Sequence, residues 1–380
     1  MVECELSFSH ASFDEAGSYK LVELTPDLTT LFENALKDDI DVNLTIKGHS
    51  NNDAVLCTDK KTFSMRSVSL SNTILVVTPV PDEKAVDFAD GAVIIRDQLN
   101  EIIELVPVVP KLHKLSALIR ERQYDESQED EAEPEDDDSV KRFTYQDALE
   151  QIQSSEEELK NGLKERKILI VHDELRPIAP AYLTRLLELI LNSLVSLSMK
   201  HDSASTERLL AELANEHEIP RAVSEQVMRW FGEIDTNSGK WTMNVNGIVK
   251  EVGLGILGDY RHEPIEKNVL LAKWKSQVGD TFESSVSLDL LAGNYIQSEV
   301  LGSDEIHLKY FPAFALPVDP AARFSELFLT HSKWKTDEIT PFLSDIAVNS
   351  KERDKLLLKY CRAVTDAGVV RYSARAQYQG

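Results

Sequence analysis

Thr206-Glu207-Arg208-Leu209-Leu210, a turn at Ile219-Pro220, an apolar-faced stretch from Val223 to Phe231 and the closing Lys240-Trp241-Thr242-Met243 make up residues 206–243. The leucines recur at helical spacing, the Ile-Pro pair breaks the period, and the last four residues alternate as a strand does. Three more passes share this order of helix, turn, helix and short strands. One runs from Thr144 through Ala148, Leu149 and Ile152, then Ser154 to Leu163, with strands at Ile168–Val171 and Leu175–Ile178. Another takes Val269 to Trp274, Phe282 to Leu291 and strands at Ile296–Ser298 and Ile306–Tyr310. The last takes Phe324 to Leu329, Thr336 to Ile346, one helix from Lys351 to Ala367 and a strand at Val369–Tyr372. Leu183 to Met199 reads as a long joining helix. A helix-turn-helix followed by a β hairpin is the winged-helix plan.

Upstream the period is two. Val42, Leu44 and Ile46 alternate with polar neighbours, as do Phe63 and Met65, and further strand candidates are Tyr19–Leu24, Ala54–Cys57, Ile74–Val77, Val93–Arg96 and Ile102–Val106. Thr25-Pro26-Asp27 supplies a cap and a first-turn proline for one helix carrying Leu28, Leu31, Phe32 and Leu36. Between the two regions lies an acidic run: ten of the fifteen residues from Tyr124 to Asp138 are Asp or Glu and none is Lys or Arg. Such a run repels itself and has little apolar surface to bury, so it reads as a disordered linker. The expected fold is α+β: an N-terminal β-rich, barrel-like domain (1–118), an acidic linker (119–141) and a C-terminal array of tandem winged-helix domains. The array divides into a first short unit (142–203) and units at 204–264, 265–318 and 319–380.

Composition narrows the function. With 41 Lys and Arg against 65 Asp and Glu the chain carries a net charge of -24, so it has no chain-wide basic footprint for nucleic acid. No apolar run approaches the roughly 20 residues of a membrane helix. Met1-Val2-Glu3-Cys4-Glu5 puts acids where a secretory signal carries bases, and three well-separated cysteines (Cys4, Cys57, Cys361) suit reduced thiols.

Catalytic constellations are missing from the sequence. Gly253-Leu254-Gly255-Ile256-Leu257-Gly258 has the spacing of a dinucleotide loop but follows the helix-like Val245–Val252 where a strand is required, so it is expected to form a glycine-rich bend. No phosphate loop and no zinc spacing occurs, and His172-Asp173-Glu174 sits in a polar turn between two short strands. No cofactor is implied, and the reading is that the chain is not an enzyme.

The C-terminus has the opposite polarity to the rest. Residues 351–380 hold seven bases and three acids. Lys355, Lys359 and Arg362 are spaced to share one face of the expected helix, with Leu357, Cys361 and Val364 on another. Arg371 and Arg375 fall on one side of the expected wing strand. Candidate DNA contacts are therefore Lys351, Lys355, Lys359, Arg362, Arg371 and Arg375, sequence-independent and salt-sensitive. A solvated helix with ordinary i, i+4 pairs is the alternative.

Several stretches resemble a known family. Tyr19-Lys20-Leu21-Val22-Glu23-Leu24, Ala54-Val55-Leu56-Cys57-Thr58, Lys61-Thr62-Phe63 and Ser71-Asn72-Thr73-Ile74-Leu75 are similar to the Dcc-type (defective in sister chromatid cohesion) subunit of the alternative replication factor C. So are Lys309-Tyr310-Phe311-Pro312, Leu316-Pro317, Arg323 to Phe328, Trp334 and Ile339-Thr340-Pro341-Phe342-Leu343. The resemblance spans nearly the whole chain and rests on structural rather than catalytic motifs.

It implies a non-catalytic clamp-loader subunit, nuclear and chromatin-associated, acting with PCNA and the replication factor C small subunits in sister chromatid cohesion. It further implies that the N-terminal domain joins the small chromosome-transmission-fidelity subunit and the C-terminal tail of the large one, that this module docks on the catalytic subunit of DNA polymerase epsilon, and that the winged helices, usually counted as three, bind single- and double-stranded DNA. Exposed strand edges must be paired or covered, so Val42, Leu44 and Ile46, or Ile74, Leu75 and Val76, are expected to border a sheet shared with a partner. The alternative function is a winged-helix interaction scaffold of another nuclear assembly, without direct DNA binding.

Overall fold

The computed structural model describes residues 6–8, 18–49, 53–79, 93–119, 123–128, 142–299, 305–366 and 369–375. Cys4 and the acidic run from residue 129 onward lie outside them. The chain forms two compact units, Met1–Pro110 with Gln153–Glu158, and Lys111–Ile152 with Leu159–Gly380.

The first unit is a six-stranded sheet with one helix. Its strands are β1 (Leu6–Phe8), β2 (Val22–Glu23), β3 (Thr45–Lys47), β4 (Val55–Cys57), β5 (Thr62–Pro79) and β6 (Val93–Pro107), and helix α1 (Pro26–Asp38) lies between β2 and β3. The expected cap is in place: Thr25 Oγ1 accepts the Leu28 N–H at 3.4 Å and Pro26 occupies the first turn. Leu28 and Phe32 of α1 close a small core with Leu56, Phe63 and Leu105. The sheet order is β1-β6-β5-β4-β3, with β2 also on β6. Among the described residues this sheet is open, which corrects the barrel-like expectation. Closure needs every edge strand to find a neighbour, whereas the end strands β1 and β3 are three residues each and pair only inward.

Strands β5 and β6 pair from Phe63↔Pro107 to Pro79↔Val93, with register shifts after Ser69 and Val76. The expected separate strands at Phe63–Met65 and Ile74–Val77 are thus one strand. Residues 153–158 complete the unit through polar contacts. Gln153, Ser154 and Ser155 are all buried. Gln153 Nε2 donates to Asp53 O at 2.6 Å, Lys47 Nζ to Ser154 O at 2.8 Å, and the Ser155 N–H to Thr62 Oγ1 at 2.8 Å, while the buried Thr62 hydroxyl donates to Glu158 Oε2 at 2.5 Å.

The second unit opens with helix α2 (Leu115–Leu118), α3 (Tyr145–Gln151), α4 (Glu156–Glu165, whose first turn belongs to the first unit), β7 (Ile168–Val171) and β8 (Glu174–Pro177). Next come α5 (Pro180–Ser196), β9 (Ala204–Ser205), α6 (Thr206–His217), α7 (Arg221–Trp230), β10 (Gly232–Asp235) and β11 (Lys240–Met243). The third group is α8 (Val245–Gly258), β12 (Ile265–Glu266), α9 (Lys267–Val278), β13 (Tyr295–Glu299) and β14 (Ile306–Tyr310). The last is α10 (Pro320–Thr330), β15 (Trp334–Lys335), α11 (Thr336–Ile339), α12 (Ser350–Tyr360), β16 (Cys361–Asp366) and β17 (Val369–Ala374).

One topology recurs in the last three groups: a helix, a short strand, one or two helices, then a hairpin whose second strand pairs with the short strand. The pairs are β9 with β11, β12 with β14 and β15 with β17. The first group follows the same order with a single bridge, Thr144 to Glu174, in place of the short strand. The expected joining helix is therefore the opening helix of a repeat. So is α8, which overturns the expectation of a glycine bend: a Cβ on Gly253 would lie 2.5 Å from the Trp274 ring, so this glycine lets α8 and α9 close. Buried tryptophans anchor the three larger repeats, their indoles donating to Met228 O (Trp241, 2.9 Å), Val249 O (Trp274, 2.8 Å) and Leu327 O (Trp334, 3.1 Å).

Candidate partner edge and nucleic-acid surface

Beyond Ser64 no strand among the described residues pairs with the outer edge of β5, and only the Met65 N–H reaches back, to Ala54 O at 3.2 Å. Strand β4 is three residues long and leaves the rest of β5 uncovered. Val68, Ile74, Leu75 and Val77 stay about 40% exposed along it, and Val76 is half-buried. Because successive strand residues point to opposite faces, exposed Ile74 and Leu75 leave apolar surface uncovered on both faces of β5 there, while Leu99 and Ile95 opposite it on β6 are buried. A two-stranded ribbon is only marginally stable in water. At the other end of the sheet, β3 pairs, among the described residues, with β4 alone, and Ile46 is 63% exposed. Val42 and Leu44 precede β3 rather than belonging to it, half-buried and exposed respectively. Among the described residues, the six lie on or just before β3 and β5, which have no strand on their outer sides there.

The basic cluster is arranged differently from the expectation. Helix α12 stops at Tyr360, and Cys361 begins a strand. Lys351, Lys355 and Lys359 are exposed on the helix, with Leu358, 71% exposed, among them, whereas Arg362 lies on β16 and shares no helix face with them. The apolar companions separate too: Leu357 and Cys361 are buried and Val364 is exposed on the strand. The β-branched Val364 and Thr365 suit a strand better than a helix.

Register then decides the faces. Arg362 pairs with Ser373, and Arg371 pairs with both Val364 and Lys335, while Tyr372 stands between Ala363 and Trp334. Tyr372 and Trp334 pack into the core of this repeat, so Lys335, Arg362 and Arg371 share the sheet face turned away from it. Arg375, one residue past β17, is exposed, and its N–H donates to Tyr360 O at 3.2 Å. The repeat thus presents two basic surfaces, a helix and a sheet face. Lys359 Nζ lies 4.9 Å from the Tyr360 ring centroid, and Lys335 engages Glu338 at 3.2 Å. Burial pushes the Cys361 thiol up to about 12, so it is no nucleophile at neutral pH. His172 and Asp173 occupy the β7–β8 turn with φ of 48° and 64°, the left-handed pair of a two-residue hairpin.

The family model described as Sister chromatid cohesion protein Dcc1 matches residues 19–343. The chain belongs to the Dcc1 family. A probable sister chromatid cohesion protein DCC1 of Dictyostelium discoideum is 24% identical over 367 residues, covering 91% of each chain. The Sister chromatid cohesion protein DCC1 of Xenopus laevis is 27% identical, covering 98% of this chain and 93% of its own, and that of Homo sapiens is 25% identical, covering 96% and 90%. The Dcc1-family match takes in β2 to β6 of the first unit but not β1, and extends through Leu343, ending before α12, β16 and β17.

Proposed function

We propose that this cohesion-family protein is a non-catalytic subunit of an alternative replication factor C clamp loader, nuclear and chromatin-bound. In this reading the N-terminal sheet is completed by the small chromosome-transmission-fidelity subunit and the tail of the large subunit, and the resulting module docks on the catalytic subunit of DNA polymerase epsilon. The repeats of the second unit are winged helices, and the last of them holds DNA. Through its partners the chain acts on PCNA and meets the replication factor C small subunits. The observation that carries the reading is the outer edge of β5, unpaired beyond Met65 and apolar on both faces. Covering Val68, Ile74, Leu75 and Val77 would contribute about 2–5 kcal/mol before any backbone pairing is counted.

The test is co-expression with the two proposed subunits. Leu75→Asp with Val77→Asp should abolish co-purification while the second unit keeps its fold; an intact complex would refute partner completion at this edge. The family supports cohesion at the coarser level, and its name specifies no reaction. A second reading, a scaffold that never touches DNA, is favoured by the net charge of -24 and by Leu358 standing exposed among the lysines of α12. Salt-dependent binding of short duplex and single-stranded DNA separates the two.

A further inference from the structure

The third repeat ends its sheet on β13, which pairs with β14 and, among the described residues, with no other strand. A cleft of about 120 Å³ runs beside this strand, lined on its near side by Tyr295, Ile296 and Gln297 and on its far side by Trp334, Asp337 and Glu338 of the last repeat. Asp289 and His331 also line it. One end is shut where Gly293 meets Pro341, so closely that a Cβ on the glycine would lie 3.2 Å from the proline ring. The His331 and Trp334 rings stand edge to face at 5.4 Å.

The charge is one-sided. Asp289 and Asp337 are exposed. Glu338 is engaged by the Lys335 N–H at 3.0 Å and by Lys335 Nζ at 3.2 Å, and Asp289 accepts the Ser287 hydroxyl at 3.3 Å. Burial raises the Tyr295 hydroxyl, and Asp289, Glu338 and Asp337 all raise it further, so the three carboxylates act on one place. Nucleic acid is repelled by such a cleft.

We propose that the open edge of β13 and the acidic cleft beside it form a docking site for an extended basic segment of a partner protein, which adds a strand to β13 and sets a lysine or arginine among Asp289, Asp337 and Glu338. The strand edge supplies backbone hydrogen bonds to any extended chain, and the cleft selects the side chain. The site has the opposite charge to the basic surfaces on α12 and β16–β17, and it meets the sheet face at the Lys335–Glu338 pair.

The probe is an acetylated, amidated seven-residue peptide of alternating valine and lysine, titrated into the full chain labelled with 15N. Backbone signals of Tyr295, Ile296 and Gln297 and the His331 imidazole should move. Asp289→Lys with Asp337→Lys should weaken binding about tenfold or more, whereas Glu216→Lys, an exposed reversal on α6, should leave it unchanged. Peptide N-methylated on alternate residues keeps its charge but loses the pairing N–H groups, and should also bind at least tenfold more weakly. Absent binding, binding indifferent to the cleft reversals, or equal weakening by Glu216→Lys would overturn the site. Full affinity of the N-methylated peptide would overturn strand addition. A melting curve for each variant shows that it is folded.

Discussion

Arg323 is wholly buried in a mostly apolar core, and all of its donors are used. Nε donates to Pro317 O at 2.7 Å, Nη1 to Phe342 O at 2.8 Å and to Asp345 Oδ1, and Nη2 to Asp345 Oδ2 at 2.8 Å and Leu316 O at 3.2 Å. The guanidinium therefore ties α10 to the segment before it and to the turn after α11. Arg323→Met preserves much of the volume and leaves three main-chain carbonyls without donors, each costing about 1 kcal/mol or more. The orphaned Asp345 is 40% exposed and regains water, so it adds only about 1 kcal/mol. The sum is about 3–5 kcal/mol. Arg323→Lys offers one ammonium where a planar fork is needed and should cost about 2–3 kcal/mol. Asp345→Asn keeps one acceptor oxygen, loses the charge and turns an NH2 donor towards the other guanidinium N–H, for about 1–2 kcal/mol. Hydrogen exchange across residues 320–366, read by mass spectrometry, reports local opening in this repeat even where the whole chain does not unfold in one step. Protection should fall by roughly two to four orders of magnitude in Arg323→Met. Loss within tenfold of the unsubstituted chain, or an equal loss in Asp345→Asn, would refute the account of Arg323 as the tie.

Gly253→Leu forces a side chain into the Trp274 ring and should cost about 1–3 kcal/mol in a thermal melt, whereas Gly258→Ala, with nothing within 4 Å of the added carbon, should not destabilise. Lys355→Glu with Lys359→Glu, and separately Arg362→Glu with Arg371→Glu, should each weaken DNA binding in fluorescence anisotropy and shallow its salt slope, because helix and sheet face contribute independently; no change in either would remove DNA from this repeat. Cys361, raised in the folded chain from 9.0 to about 12, keeps its proton where the unfolded thiol has lost it. Its contribution is therefore intact below about pH 9 and declines as pH rises towards 12, by up to about 1.4 kcal/mol per unit; thiol-reactive dye at pH 8.5 should label it only after denaturation. Thr62→Val removes the hydroxyl that both donates to Glu158 and accepts from Ser155 and should destabilise the first unit by about 1–3 kcal/mol, measured by exchange in β4 and β5.

The repeating order of helices and hairpins was readable because apolar periodicity at 3.6 residues survives in buried helices such as α6 and α7, and because Ile219-Pro220 marks the break between them. Short strands of two residues, β9, β12 and β15, leave no period to detect. The end of α12 is hidden because Leu357, Cys361 and Val364 continue a helical spacing into a strand, and only β-branching at Val364 and Thr365 argues otherwise. Phe282 to Leu291 looked like one helix and instead makes two 3-10 turns, Glu283–Ser285 and Leu288–Leu291. The length of β5 was hidden by its polar middle, Arg66 to Thr73, whose side chains are largely exposed. No sequence signal marks Gln153–Ser155 as buried, because polar residues ahead of three glutamates read as surface. The cleft beside β13 is equally invisible in the sequence, Asp289 lying more than 40 residues before Asp337 and Glu338.

The borrowing of Gln153–Glu158 by the first unit has a consequence for synthesis. A ribosome that has released Pro110 has not yet delivered the residues that pair with Thr62, Lys47 and Asp53; they follow about 40 residues later. At typical elongation speeds that is a wait of roughly 2–9 s. During it the nascent sheet has its polar groups and its apolar ribbon open at once, which makes this interval the natural window for chaperone capture and for a partner strand to arrive before the chain is finished.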